Sequence, residues 1–275
     1  MNSATTQWWK GYTAAFVLFF TMAPFMWMTI ISITPESGLF AQGVQYIPRN
    51  PTVDNYFKIF NVVDFGRVFT NSVFVAVMTT LLAMSVSVIA GYAFARFTFP
   101  GRSFFTISLL LIYMLPSIVL LIPMLGIFKT LGISNTYAAL ILAESTHAIP
   151  FAVYLLTNFF VTVPRDLDEA AQIDGCSRWG ALRRIILPVA IPGVIAAALF
   201  VFIQSWNNFL FAFMFVFGDK TTLPVLLRGF VGGEAGVFWG QVMAAAVMTT
   251  IPVAVVFLVF QRYLIQGLAA GAVKG

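Results

Sequence analysis

Residues 164–188 read PRDLDEAAQIDGCSRWGALRRIILP, and the reading of this stretch decides the fold. Between Arg165 and Arg184 it carries eight charges, four of each sign. On either side the chain turns apolar. Ser145 to Pro164 before it, and Ile185 to Gly218 after it, contain no Asp, Glu, Lys or Arg. A helix that crosses the hydrocarbon of a bilayer needs about 20 mostly apolar residues. The charged stretch is therefore a connection hung between two candidate membrane spans.

Outward from it, four more stretches have the same character: Gly11 to Pro35, Val68 to Ala95, Ser103 to Phe128 and Ala235 to Gln261. The span before the loop starts near Tyr137, which brings Glu144 and His147 inside it. Six spans result, and the fold class is all-α and polytopic. Ile185 to Gly218 reads as one long span without a mid-point break. Of the 275 residues, 60% are hydrophobic and 9% charged, against roughly 25% charged in soluble domains. So little charge cannot cover a water-facing surface. The first apolar run is too long for a signal peptide and no small-x-small site follows it, so it is read as a retained span. Cys176 is the single cysteine, which excludes an internal disulfide.

Lys and Arg gather on the cytoplasmic side of spans. Six spans put both termini on one side, with Lys10, Arg96, Arg102, Arg165, Arg178, Arg183, Arg184, Arg262 and Lys274. The other side holds Arg49, Lys58, Arg67, Lys129, Lys220 and Arg228. Nine against six favours cytoplasmic termini, so the net charge of +5 speaks of topology rather than of nucleic acid. On that topology Thr34 to Arg67 lies outside and contains a short amphipathic run, Val53 to Phe60. The turn Phe97 to Arg102 is tight and inside. Span three contains Pro116 and is expected to end near Pro123, with a short outer helix from there to Thr136. Pro24, Pro150, Pro192 and Pro252 also fall within spans, where neighbouring helices or water can satisfy the freed carbonyls.

Locally, residues 164–188 read as two short helices. Asp166 can cap the first, with Glu169 at capping-box spacing. Leu167, Ala170 and Ala171 share one of its faces. Gly175 suits the left-handed residue that ends a helix. Ser177 can cap a second helix, on which Trp179, Leu182 and Ile186 recur at helical spacing. Leu187-Pro188 turns the chain back into the membrane. Two capped helices with an apolar face suit packing against a partner. The plain alternative is a solvated connection, although most connections need only a few residues.

No Gly-x-x-x-x-Gly-Lys-Ser/Thr loop is present, so energy for any transport must come from a partner or an ion gradient. One histidine and one cysteine in different segments make no metal cluster. Glu144, Ser145, Thr146 and His147 form a polar cluster inside the fourth span. An ionisable residue at membrane depth is a functional hypothesis by default, and Glu144 and His147, three apart, share a helical face. Three roles stay open for them: hydrogen-bonding a sugar, relaying a proton in a proton-coupled secondary transporter, or pairing with a neighbouring helix. Gln204, Asn207 and Asn208, beside Trp206, pose the same choice between a solute and interhelical hydrogen bonds. A hydrolase built on Ser145 and His147 is disfavoured, because residues two apart on a helix do not face each other.

Glu169-Ala170-Ala171, then Asp174-Gly175, then Ile185-x-Leu187-Pro188 match in order and spacing the EAA motif of ATP-binding-cassette (ABC) importer permeases. Supporting pieces are Tyr92-Ala93-Phe94-Ala95-Arg96-Phe97 with Phe99-Pro100-Gly101-Arg102, Trp206-Asn207, Thr222-Leu223-Pro224-Val225, and the tail from Gly267-Leu268 to Gly275. The chain resembles the carbohydrate branch of that family, similar to the second maltose-type permease subunit, over nearly its whole length. The resemblance implies a type I ABC importer permease fold: residues 1–68 would form the first span and an outer loop, residues 69–262 a five-helix core with a coupling loop at 164–188, and residues 263–275 a cytoplasmic tail. It implies an ATPase-coupling role for Glu169, Ala170, Ala171, Asp174, Gly175, Leu187 and Pro188, in short helices that sit in a cleft of a cytoplasmic ATPase. Val273, Lys274 and Gly275 would reach toward the same partner.

The same resemblance implies a transport subunit rather than an enzyme. This chain would bind no cofactor, and ATP and Mg would be used by the partner ATPase dimer. Further implied partners are a second permease in a heterodimer, an extracytoplasmic solute-binding protein and membrane lipid, with no nucleic acid. The function implied is half of a translocation pathway for a sugar or sugar-like solute, worked by alternating access in the inner membrane. Glu144, His147, Gln204, Asn207 and Asn208 are the substrate-pathway candidates. The family often has an acidic residue after Trp-Asn, where this chain has Asn208, so no charge-based role carries over to that position.

Overall fold

The computed structural model describes residues 3–41, 46–62, 64–231 and 237–272. In chain order its helices are α1 (Ser3–Ser32), α2 (Glu36–Ala41), α3 (Asp54–Val62), α4 (Phe65–Arg96), α5 (Arg102–Met114), α6 (Ser117–Thr130), α7 (Tyr137–Thr162), α8 (Asp166–Ile173), α9 (Arg178–Ala181), α10 (Leu187–Val189), α11 (Ile191–Trp206), α12 (Leu210–Phe215), α13 (Leu223–Phe230) and α14 (Trp239–Ala272). A π-helical turn, Leu182–Ile186, joins α9 to α10. Among the described residues there is no strand. Helices α1, α4, α7 and α14 are each long and apolar enough to cross a membrane. Two helix pairs reach that length and apolarity only together and are sharply bent: α5 with α6 by 95°, and α9–α10 with α11 by 81°. Against the six expected spans, the described residues give four continuous ones, and six when each bent pair is counted as one span.

Both bends correct the sequence reading. Span three breaks at Leu115-Pro116, not near Pro123. A proline disfavours the α region for the residue before it, and Leu115 is extended at φ −64°, ψ 132°. Pro123 instead lies inside α6, which runs on to Thr130. The expected unbroken stretch Ile185 to Gly218 holds two breaks. The chain leaves helical geometry at Ala190 (φ −85°, ψ 2°), just before Pro192, whose ring suits the first turn of α11. It breaks again after Trp206 and resumes as α12.

The chain divides into two compact units, residues 1–66 with 226–252 and residues 67–225 with 253–275. In the first, the amphipathic run expected at 53–60 is α3, tied to the end of α1. The Asn55 Nδ2 donates to the carbonyls of Ser32 and Thr34, both at 2.9 Å. Glu36 accepts from the backbone N–H groups of Trp239 and Gly240 at 2.9 Å each. A carboxylate is favoured at the start of a helix, where N–H groups have no intrahelical partner. Much of α1 is apolar and exposed, including Phe16, Phe19 and Phe20, a surface suited to hydrocarbon.

The second unit is organised around α7, which packs against α5, α6, α11 and α12. It starts where the sequence places it, with the Thr136 hydroxyl accepting from Ala139 N at 3.2 Å. One half of α7 joins Val75, Leu121, Phe128, Phe211 and Phe215 in a core; the other half, through Leu156 and Phe160, joins Ala83, Tyr92, Leu182, Ile186 and Val201 in a second. Small residues let the helices approach closely. A Cβ on Gly91 of α4 would stand 2.9 Å from Leu156 Cβ and 3.2 Å from the Thr157 backbone N. At one end of this unit, Asn71 Nδ2 donates to the carbonyls of Asp219 and Thr221, at 2.8 and 2.9 Å, and its Oδ1 accepts from Tyr137 Oη at 2.7 Å.

Candidate functional site

The loop between α7 and α11 does form two short helices around Gly175. Gly175 has φ +80°, its N–H donates to Gln172 O at 3.1 Å, and Cys176 N donates to Ala171 O at 2.9 Å. These two bonds are the Schellman pattern that ends a helix on a left-handed residue. Ser177 caps α9 by accepting from Gly180 N at 3.1 Å. The capping box expected at Asp166 is not formed. The residue before α8 is Arg165, itself in helical geometry and making no side-chain cap bond. Asp166 is already inside the helix, where Asp166, Asp168 and Glu169 fill the first turn and suit its positive end.

The faces of these helices differ from the expected ones. Leu167, Ala170 and Ala171 do not share a surface: Ala171 is buried, Leu167 half-buried, and Ala170 exposed beside Glu169. Ile173, an apolar residue, is 85% exposed. On α9 and the turn after it, Leu182 and Ile186 are buried, whereas Trp179 is 58% exposed. Ile173 and Trp179 are thus two large apolar side chains left exposed on a loop that also exposes Glu169 and Asp174. Leu187 and Pro188 start the short helix that leads the chain back toward α11. Pro188 has no N–H to give, and the turn before it widens so that Leu187 N bonds Leu182 O.

The inner face carries a group that sequence reading passed over. Asp168 is buried, with Oδ2 2.8 Å from Arg96 Nε and Oδ1 accepting from Tyr92 Oη at 2.6 Å. Arg96 also donates to Val163 O at 3.0 Å, and Arg178 lies 4.8 Å from the centre of the Phe97 ring. In the sequence, Tyr92, Arg96 and Phe97 stand out as parts of a family motif, and Arg96 and Phe97 also as a basic residue and the start of a tight turn, with nothing that ties them to Asp168.

The five pathway candidates fall into separate settings. Glu144, 4% exposed, accepts from Thr79 Oγ1 of α4 at 3.3 Å and from Ser205 of α11. His147 meets other neighbours: its ring stacks on Tyr113 at 5.5 Å, stands edge-on to Phe211, and its Nε2 lies 3.4 Å from Ser117 Oγ. No described hydrogen bond or ion pair joins Glu144 to His147, although they share a helical face. Asn208 accepts from Phe211 N at 3.0 Å and so caps α12. Asn207, exposed, donates to Ile203 O of its own helix at 2.9 Å. The buried Oε1 of Gln204 makes no hydrogen bond. Val273, Lys274 and Gly275 lie outside the described residues.

A family model described as "Binding-protein-dependent transport system inner membrane component" matches residues 84–270. The chain belongs to this family. It is 37% identical over 261 residues to the trehalose transport system permease protein SugB of Mycobacterium tuberculosis, covering 94% of each chain. It is also 37% identical over 255 residues to the trehalose/maltose transport system permease protein MalG of Thermococcus litoralis, covering 92% of this chain and 91% of that one. The sulfoquinovosyl glycerol transport system permease protein SmoH of Agrobacterium fabrum is 34% identical over 263 residues, covering 95% and 92%. Among solved structures, a chain of a bacterial ABC transporter involved in the import of the acidic polysaccharide alginate superposes with a TM-score of 0.80, at 20% identity, over 96% of this chain and 99% of that one. A chain of the MetNI methionine ABC transporter gives a TM-score of 0.57 at 19% identity, over 73% and 93%.

The permease has the type I ABC importer fold, all-α and multi-pass, and the EAA motif typical of its family. It is a transport component and not an enzyme. The relatives lend no support to a proton-coupled carrier, and the separate partners of Glu144 and His147 build no relay between them.

Proposed function

We propose that this permease is one of two membrane subunits of an ATP-driven importer for a sugar or sugar-like solute, and that α8 is its contact with a cytoplasmic ATPase dimer. The observation that carries this reading is the exposed Glu169–Ala170–Ile173 surface on a helix whose other face is buried in the membrane unit. Glu169, Ala170 and Asp174 present the surface; Ala171 seats it. Gly175 turns the chain without strain, and Leu187 and Pro188 return it to the membrane. ATP and Mg are used by the partner, and this chain binds no cofactor. Both termini lie in the cytoplasm, in keeping with nine basic residues on that side against six on the other. The substrate class rests on relatives whose names specify trehalose, maltose and sulfoquinovosyl glycerol, and a binding protein outside the membrane delivers the solute.

Within the pathway, Gln204 and Asn207 are the solute-facing candidates, at the break between α11 and α12. Glu144, His147 and Asn208 act indirectly by holding helices in register. The test is to purify the permease under mild detergent, identify what accompanies it, and measure ATP-dependent uptake of trehalose, maltose and sulfoquinovosyl glycerol in vesicles. Co-purification of an ATPase and a second permease, with uptake of one of these solutes that survives an uncoupler, is expected. A chain that transports alone would overturn the proposal.

A further inference from the structure

An eight-residue helix gains little from its own hydrogen bonds, because isolated helices shorter than about 12–15 residues are marginal in water. Whatever grips the outer face of α8 moves the membrane helices only if the inner face is firmly held. Leu167 and Ala171 supply apolar contact there, but apolar contact is non-directional and lets packed helices slide. Asp168 is the directional element. Its two oxygens are divided between Arg96 Nε at 2.8 Å and Tyr92 Oη at 2.6 Å, both from the last turns of α4. The same guanidinium donates to the carbonyl of Val163, the residue that ends α7. The Arg96 and Asp168 side chains are 6% and 11% exposed, so solvent screens the pair weakly. Arg165, Glu169, Gln172 and Arg178 surround it, lining with it a cavity of about 160 Å³.

We propose that Tyr92, Arg96 and Asp168 form a latch that carries movement of α8 into α4 and α7, with Arg96 and Asp168 as positioning residues for ATP-driven transport. The inference rests on the coupling role proposed for α8. It differs from that role in location, since none of the three residues lies on the face offered to the ATPase. The Tyr92 hydrogen bond to Asp168 and the Arg96 hydrogen bond to Val163 are directional, whereas Arg96 meets Asp168 through one nitrogen as an ion pair outside hydrogen-bond geometry, so the two hydrogen bonds fix orientation and the ion pair adds attraction. Asp168→Asn removes the charge and retains the shape, and Tyr92→Phe removes one hydrogen bond while leaving the ion pair.

The experiment uses the intact complex, with a Cys176→Ser background and an environment-sensitive fluorophore on Ile89→Cys, an exposed position of α4. The readouts are ATP hydrolysis per complex and the ATP-driven fluorescence change, so no solute is needed. With Asp168→Asn, hydrolysis is expected to stay within about twofold while the fluorescence response falls about tenfold, inside the roughly 5–150-fold range that coupling energies span. Arg96→Lys should restore part of the response relative to Arg96→Gln. If Asp168→Asn does not assemble, Tyr92→Phe decides, with a loss of about threefold expected on the same scale. Hydrolysis and response falling in equal proportion, or an unchanged response in Tyr92→Phe, would overturn the latch while leaving the coupling role intact. An unmodified chain that carries no ATPase would overturn both.

Discussion

In the loop between α7 and α11, Glu169, Ala170 and Ile173 are exposed, and Asp168 is turned inward to a counter-charge. In the polar cluster on α7, each described side-chain partner of Glu144 and His147 belongs to another membrane helix. Both regions are polar stretches of an apolar chain, yet the loop leaves Glu169 exposed while α7 pairs Glu144 with its neighbours. Their surroundings account for the contrast. Beside water an unpaired carboxylate is stable, and only packing decides which way it faces. At membrane depth a polar group without a partner is expensive, so Thr79 and Ser205 close on Glu144. Glu144 is thus paired, although Ser145 Oγ and His147 Nδ1 on the same helix are buried without a hydrogen bond; what sets the loop apart is that Glu169 and the apolar Ile173 are both left exposed.

That contrast can be broken by substitution. The largest effect is expected for Ile173→Asp, a change at the centre of the exposed surface. It should cost about 2 kcal/mol or more of ATPase affinity, the scale of an interface hot spot, and leave the thermal stability of the permease unchanged. Co-purification and a melting curve on one preparation check both halves. Gly175→Leu should follow. Its new Cβ meets nothing within 4 Å, so the cost is backbone strain at φ +80°, about 1–2 kcal/mol. The spans should insert normally while hydrolysis and uptake become uncoupled, which parallel assays in vesicles will show. Glu144→Ala should do the reverse, lowering stability by about 0.6–1.7 kcal/mol, the range of interhelical hydrogen bonds in membranes, with ATPase retention intact. The smallest effect is expected for Asn208→Ala, which removes the cap of α12 and should cost about 0.5 kcal/mol, the low end for a capping residue. A shift in solute selectivity instead would assign Asn208 to the pathway.

The legible parts of this fold are those governed by local rules. Gly175 and Ser177 declare a helix end and a helix start through positive φ and a hydroxyl cap, and both do so in the structure. Apolar run lengths locate the spans. Where two local rules compete, sequence is silent: Pro116 and Pro123 look alike in an apolar run, and only the first breaks it. The break at Ala190 was hidden for the same reason, since Pro192 is as compatible with the start of a helix as with a kink. Asp168 was invisible because four acidic residues lie within nine positions of one loop, and what distinguishes it is an arginine 72 positions earlier in the chain, brought to it by packing alone.

The central claim is that the outer face of α8 touches the ATPase, and site-directed cross-linking tests it most directly. With Cys176, the only native cysteine, replaced by serine, Ile173→Cys should cross-link through a short linker to the ATPase subunit in the intact complex. Exposed Leu111→Cys on α5, within a span, should not. Strong labelling of Ile173→Cys by a soluble thiol reagent, with no cross-link to an ATPase that is present in the same preparation, would contradict the account.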